Sequence, residues 1–479
     1  VQVPILNGIY ADSAPDLRTS YPRNYIPVPK QNGVSQGYLR PADGIQSLGA
    51  GGPGVGRGGI NWNGKLLRVM GTKLVSVAAD GTVSVLGEVG GAGQVSLDYG
   101  FDRLAIASGG SLFYWNGAAL TKVVDPNFGV VNDVKWLAGY YCTTDGKNIV
   151  VSNLKDPTTA SPLAYGSAEA DPNPIMALDE LRSELHAFTR YSIQVFQNTG
   201  AASSTSTQQT FPFTAIEGAD VPKGAIGTHA YCSIGNTFVF LGSGRGEAPA
   251  VYMMVPGDTQ KLSTREIDRI LKNYTEQQLS QVVMEVVVDR NHQHVYMHLP
   301  DQCWVYDTIG SATVGEPIWF QLDSGLLAPS TYRGRNFVWC YNQWNVEDPT
   351  STAVGILVDT VSTHYGKAVA WDFGSMILYN EGDDAIVHEL ELVALPGRVP
   401  LGADPTVWTS YSVDGETWSA AQPIHAGKQG ERAKRLAWRR NGRIRNYRMQ
   451  RFHGTSDAHL PVLRLELKTE PLQTRPGNG

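Results

Sequence analysis

Leu66-Leu-Arg-Val-Met-Gly-Thr-Lys-Leu-Val-Ser-Val-Ala-Ala-Asp-Gly-Thr-Val-Ser-Val-Leu86 reads as three short strands in succession, broken at Gly71-Thr72 and at Asp80-Gly81. Such dipeptides supply the φ > 0 positions of tight hairpins, so the stretch predicts an antiparallel meander. The plan returns downstream: Arg103–Ala107, Ser111–Trp115 and Leu120–Val123 are parted by Gly109-Gly110 and Asn116-Gly117. Units of this kind start near Ile60, Ser96, Asp133, Ile175, Ala230, Val282 and Tyr332, at steps of roughly 36 to 55 residues. One such unit cannot bury its own apolar face and must stack on neighbours, which is the signature of a propeller or solenoid. The expected fold is all-β: a β-propeller of about seven blades over 60–365, with one helical insert. Six to eight units fit the spacings.

The flanks differ from the repeat. Residues 1–59 are rich in Pro and Gly, with Tyr21-Pro22, Ile26-Pro27 and Val28-Pro29 favouring extended backbone. They read as an extended N-terminal arm and connector. Gly49–Gly59 lacks the Gly-Lys-Ser/Thr ending of a phosphate loop, so a flexible connector is expected there. Ser263-Thr-Arg-Glu266 forms a capping box ahead of an apolar stripe at Ile267, Ile270, Leu271 and Tyr274, and Thr275 with Gln278 opens a second short helix. This insert is expected as a lid or an intersubunit contact, and Ala201–Gln209 as an exposed loop. From 366 the repeat gives way to cleanly alternating strands near 385–393, 406–413, 443–452 and 462–467. A C-terminal, jelly-roll-like β-sandwich over 366–470 is expected, with a tail over 471–479.

Composition narrows the function classes. Apolar residues are 42% and charged residues 18%, with a net charge of −6, so no global attraction to nucleic acid follows. Cys142, Cys232, Cys303 and Cys340 form no C-x-x-C pair, which argues against zinc and for buried thiols of an intracellular protein. The longest apolar run, Val282–Val288, is broken by Glu285 and far too short for membrane insertion. The first residues show no secretion signal.

Few residues carry possible chemistry. His292, His294 and His298 share one parity of a strand and could face a common metal, but Asp289-Arg-Asn291 reads as the turn before that strand, no carboxylate or thiolate is placed to complete the set, and no metal or cofactor is assigned. Catalytic spacings are missing, although any two of the many acids could meet in space. Tyr411-Ser-Val-Asp-Gly-Glu-Thr-Trp418 resembles a sialidase Asp-box short of one residue, and more closely a hairpin of discoidin-type jelly rolls; in both it is a structural turn. The strongest charge feature is the run Lys428–Arg451, with ten basic residues against the single acid Glu431. Within it Arg439, Arg440, Arg443 and Arg445 are candidate contacts for DNA phosphates or for an acidic partner ring, and the alternative is a solvated sandwich face or a salt-bridge interface to an acidic neighbour.

A set of colinear segments carries a family resemblance. Gln36-Gly-Tyr-Leu-Arg-Pro-Ala-Asp-Gly-Ile45, Ser263–Tyr274 with Thr275-Glu-Gln-Gln-Leu, Val283-Met-Glu285, His298-Leu-Pro300, Val305-Tyr-Asp307 and Trp438-Arg-Arg-Asn-Gly-Arg-Ile-Arg445 occur in order. Together they resemble the tail hub, or packaged-DNA stabilisation, proteins of short-tailed phages. The resemblance implies a non-enzymatic virion protein that forms a homo-hexamer in the phage tail. It would close the DNA channel after packaging and join the portal-adaptor (head-to-tail connector) protein to the tail needle and to tailspikes or tail fibres, next to packaged double-stranded DNA. The competing expectation is a glycan-binding or glycan-cleaving propeller with a discoidin-like appendage.

Overall fold

The computed structural model describes residues 2–3, 5, 21–30, 37–200, 209–290, 292–375, 378–379, 384–413, 417–445 and 447–472. Seven antiparallel sheets of four strands follow one another around a ring, spanning 56–88, 96–122, 133–166, 175–215, 224–261, 283–322 and 335–358. The long step before Ala230 has a physical cause. The inner strand of the fifth blade is broken into Gly224–Ala225 and Tyr231–Ile234, both paired with Thr237–Ser243. Inner strands of successive blades touch, and Arg335–Cys340 of the seventh meets Gly56–Trp62 of the first, so the ring closes.

Middle strands are buried on both faces because each blade is sandwiched between two others. Leu104–Ser108, Tyr140–Thr144 and Cys303–Asp307 are buried at every position, whereas the outer strands Leu120–Lys122 and Asp258–Lys261 are largely exposed. The apolar side chains gather into seven clusters, one in each seam between blades. Leu67, Val69 and Leu74 of the first blade, for instance, meet Leu104, Ile106 and Phe113 of the second. At roughly 25 cal/mol per Å² of apolar surface, it is this stacking that holds the repeat together.

Polar clasps cross the same seams. Asp98 accepts from the Trp136 amide (2.7 Å), Asp133 from the Leu178 amide (2.8 Å), and Glu285 from the amides of Asn336 (2.9 Å) and Phe337 (2.6 Å). Each is an inner-strand acid satisfying the backbone of the next blade. Burial pushes the Asp133 carboxyl up, to about 6, against the pull of these donors. Lys135 bridges Asp179 (2.6 Å) and Asp98 (4.0 Å). Arg57 donates to the carbonyls of Gly71, Gly90 and Gly93 and to the Ser108 hydroxyl, tying the first blade to the second. Arg68 and Glu347, both fully buried and 3.1 Å apart, lock the seventh to the first.

The N-terminal region departs from expectation. It is not an arm: Tyr25–Val28 and Tyr38–Pro41 are strands of the C-terminal sandwich, and Gly44–Leu48 is the outer strand of the seventh blade, paired with Val354–Val358. Nor is Gly49–Gly59 a free connector, since Gly56–Trp62 is the first blade's inner strand with Arg57 buried in it. Runs of glycine hide these strands from propensity, because the close approach of neighbouring backbone, not side-chain preference, selects them. Gly44 is one such point: a Cβ there would lie 2.6 Å from the Val361 carbonyl oxygen and 2.7 Å from that of Thr363.

The sandwich packs a sheet ordered 25–28, 38–41, 462–471, 385–394, 436–439 against one ordered 370–374, 447–455, 406–412, 422–425. Tyr25, Leu39, Trp371, Phe373, Leu390, Trp438 and Phe452 fill the space between. Asn24 rivets it to the ring: its amide donates to the carbonyls of Asp323 (2.8 Å) and Ala370 (2.7 Å), and its side-chain oxygen accepts from the Asp323 amide.

Helices Arg265–Leu271 and Glu276–Leu279 stand where expected. The first is capped by Thr264, not Ser263, whose hydroxyl turns to Asp268 (2.7 Å). The pair is not a loose lid, because Ile267, Leu271 and Leu279 are buried in the seam between the fifth and sixth blades. A third helix, Thr308–Val314, was not foreseen: its sequence has no apolar stripe, and it depends on Asp307 at its N-cap and Gly315 in the left-handed conformation at its C-cap. The Ala201–Gln209 tract lies outside the described residues up to 208.

Candidate functional site

The basic run divides into two faces of the sandwich. Leu436–Arg439 pairs with Ala385–Ala394 so that Leu436 and Trp438 point into the core, and Arg435 and Arg439 point outward beside Glu389 and Glu391. Arg435 binds both acids, Lys468 reaches Glu389 at 2.6 Å, and Arg439 lies 3.7 Å from it. The Lys468 hydrogen bond is the main reason the Glu389 carboxyl is held below its ordinary range. On this face the basic residues are paired with acids of the same sandwich, and Arg439 lies at the edge of that network.

The remaining arginines sit beyond the turn at Arg440, which adopts a left-handed φ of 60° and donates its amide to the His388 carbonyl (3.0 Å). Arg448 is a structural post. It is fully buried, lies 3.9 Å above the Tyr411 ring and donates to Gln450 (3.1 Å) and the Asn441 carbonyl, with burial lowering its pKa to about 10. That post supports an open cleft of about 870 Å³ lined by Val387, His388, Tyr411, Arg440, Arg443, Arg445 and Tyr447. Arg443 pairs with Asp384 at 2.8 Å, while Arg440 and Arg445 have no acidic partner among the described residues. Three of the four arginines singled out from sequence therefore converge. The cleft offers guanidinium and phenol donors to an anion. Residues 414–416 of the Tyr411–Trp418 turn lie outside the described residues.

The histidines do not act as a trio. His292 and His294 stack side by side, their ring centroids 5.0 Å apart, while His298 faces Glu285 at 3.1 Å. The carboxylate that sequence reading lacked is Asp307, which stands opposite His294 on the next strand and approaches His292 Nδ1 at 2.6 Å. The signal was present in the hairpin: a turn at Pro300-Asp301 pairs His298 with Cys303 and, four residues further, His294 with Asp307. All four cysteines are free and buried. Of the inner-strand acids, Asp98, Asp133 and Glu285 are engaged as clasps between blades.

Fold and site together define an all-β protein in which a seven-bladed propeller is joined to a sandwich carrying an arginine-lined cleft. A family model described as "Bacteriophage P22 Gp10, beta-propeller" matches residues 1–362, and "Bacteriophage P22 Gp10, beta-sandwich" matches 370–470. The chain belongs to this family of structural, non-enzymatic phage tail proteins, which removes the glycan-cleaving expectation. It is 28% identical over 463 residues to the "Tail hub protein gp10" of Salmonella phage P22, covering 93% of this chain and 94% of that protein. Among solved structures it is similar to the N-terminal domain of Nup159 (TM-score 0.37, 9% identity, 73% of this chain and 98% of that one). The computationally designed Ika8 protein is another (TM-score 0.36, 13% identity, 66% and 100%). No helix among the described residues is long and apolar enough to cross a membrane.

Proposed function

We propose that the chain is a tail hub that forms a hexameric ring, closes the DNA channel after packaging, and joins the portal-adaptor ring to the tail needle and to tailspikes or fibres. The observation that carries this reading is the match to a tail hub protein through both domains and nearly end to end. The architecture suits the task. A rigid propeller with seven sealed seams resists load through buried area, and a ring of six copies needs one heterologous interface that closes on itself. An interface of about 2,000 Å² or more, typical of obligate assemblies, is expected for each neighbour contact.

Within that reading the cleft arginines Arg440, Arg443 and Arg445, together with Arg439 on the salt-bridged face, meet DNA phosphates or an acidic partner ring. Arg440 and Arg445 have no acidic partner among the described residues. The test is to produce phage carrying Arg440→Glu together with Arg445→Glu. Particles that lose their genome, or tails that fail to assemble, are expected, and full, infectious particles would remove the assignment. Electron microscopy of particles labelled on this chain tests the hub position itself.

A further inference from the structure

We infer that His292, His294 and Asp307 form a binding site for a divalent transition metal on the sixth blade. The ligand atoms, His292 Nδ1, an imidazole nitrogen of His294 and a carboxylate oxygen of Asp307, all lie within 4.8 Å of one another. Asp307 Oδ2 is 2.6 Å from His292 Nδ1 and 3.7 Å from His294 Nε2. The second distance is beyond hydrogen-bond reach, and His294 Nε2 is a buried nitrogen without a hydrogen-bond partner among the described residues, on a side chain only 3% exposed. A buried polar atom left unpaired costs about 1–3 kcal/mol, so the arrangement calls for something between the two rings and the carboxylate.

A cation placed there replaces the proton between Nδ1 and Oδ2 and gives His294 its missing partner. Two imidazoles and one carboxylate suit Zn²⁺, Co²⁺ or Ni²⁺ better than Mg²⁺ or Ca²⁺, which prefer all-oxygen shells. The supporting layer is already built. The other carboxylate oxygen of Asp307 accepts from the Gly310 amide at 3.0 Å, which fixes its orientation. Two of the nearby cations are neutralised: Arg40 pairs with Asp43 at 2.5 Å, and Arg290 with Asp359 and Asp289, while Lys30 has no acidic partner among the described residues. His292 also lines a cavity of about 350 Å³ walled by Val28, Tyr38, Lys30, Arg40 and Arg290, which leaves a coordination position open to water or to an incoming anionic ligand. The metal would therefore brace the sixth blade where the N-terminal strands cross from ring to sandwich.

The test is titration of the full chain, purified in chelator and dialysed free of it, with Co²⁺ alone. One equivalent with visible d–d absorption is expected, displaced by Zn²⁺. His292→Ala should weaken binding by more than the roughly 10–100-fold that loss of a supporting partner costs. X-ray absorption on the Zn²⁺-loaded unmutated chain does not depend on the variant folding, and should show two imidazoles and a carboxylate oxygen at about 2.0–2.2 Å. Equal binding by wild type and a folded His292→Ala chain would overturn the site. So would the absence of imidazole scattering, or no Co²⁺ uptake at millimolar concentration, and the cluster would then be a plain His–Asp hydrogen bond.

Discussion

Replacing Arg68 with Met tests whether the ring is locked at its closing seam. Arg68 and Glu347 lie 3.1 Å apart with side chains 0% and 1% exposed. At an effective dielectric of about 20 their attraction is about 5 kcal/mol, set against the cost of drying both charges. Glu347 also accepts from the Asn336 side chain (2.7 Å), and Arg68 donates to the Asn336 carbonyl (3.0 Å), so three residues share one network. Burial already pushes the Glu347 carboxyl up, against the opposing pull of Arg68. Arg68→Met leaves that carboxyl stranded and should cost about 3–5 kcal/mol. Glu347→Gln added to it removes the stranded charge, keeps an acceptor for Asn336, and should recover at least about 1.5 kcal/mol. Urea unfolding with hydrogen exchange resolved at Lys65–Met70 and Gln343–Glu347 reads both values. Additive losses in the double variant, or a single variant within about 0.5 kcal/mol of wild type, would refute the locking argument.

Three further outcomes are expected. Gly44→Val should selectively release exchange protection in Val354–Val358, since its side chain would drive into the Val361 and Thr363 carbonyls; uniform protection would count against this closure. Asp133→Ala removes the acceptor of the Leu178 amide and should cost about 1–3 kcal/mol, seen as a lower unfolding midpoint with the third and fourth blades exchanging faster. His364 is 2% exposed, and burial lowers its pKa to about 3. Its unfolded form binds a proton below about 6.5 while the folded form does not, so stability is full above 6.5 and falls by up to about 1.4 kcal/mol per pH unit below it. Folded His364→Gln protein should show a shallower acid slope between pH 6.5 and 4, and an unchanged slope would exclude this residue as a source.

The sequence made the ring legible wherever hairpin punctuation was strong. Expected starts at Ser96, Asp133 and Ile175 coincide with strand starts, because Gly and Asn pairs with φ > 0 fix register locally. What stayed hidden depends on contacts distant along the chain. Nothing near Gly44–Leu48 announces that its partner is Val354–Val358, and the Pro-rich strands at 25–28 and 38–41 look like linker until the sandwich sheet receives them. The site followed the same division. Charge density marked out Arg440, Arg443 and Arg445, whereas the neutralisation of Arg435 and Arg439 rests on Glu389 and Glu391, roughly fifty residues upstream.

The braid of the first fifty residues through both domains dictates when this molecule can finish folding. Gly44–Leu48 must wait some three hundred residues for its mate, and Tyr38–Pro41 waits longer still for Val462–Pro471. During synthesis these segments are orphan edges, open to capture by the same segment of a nascent neighbour. Pro27, Pro29 and Pro41 lack the amide hydrogen that such capture would use, so the features that disguise these strands as linker also guard them until the ribosome has delivered their partners.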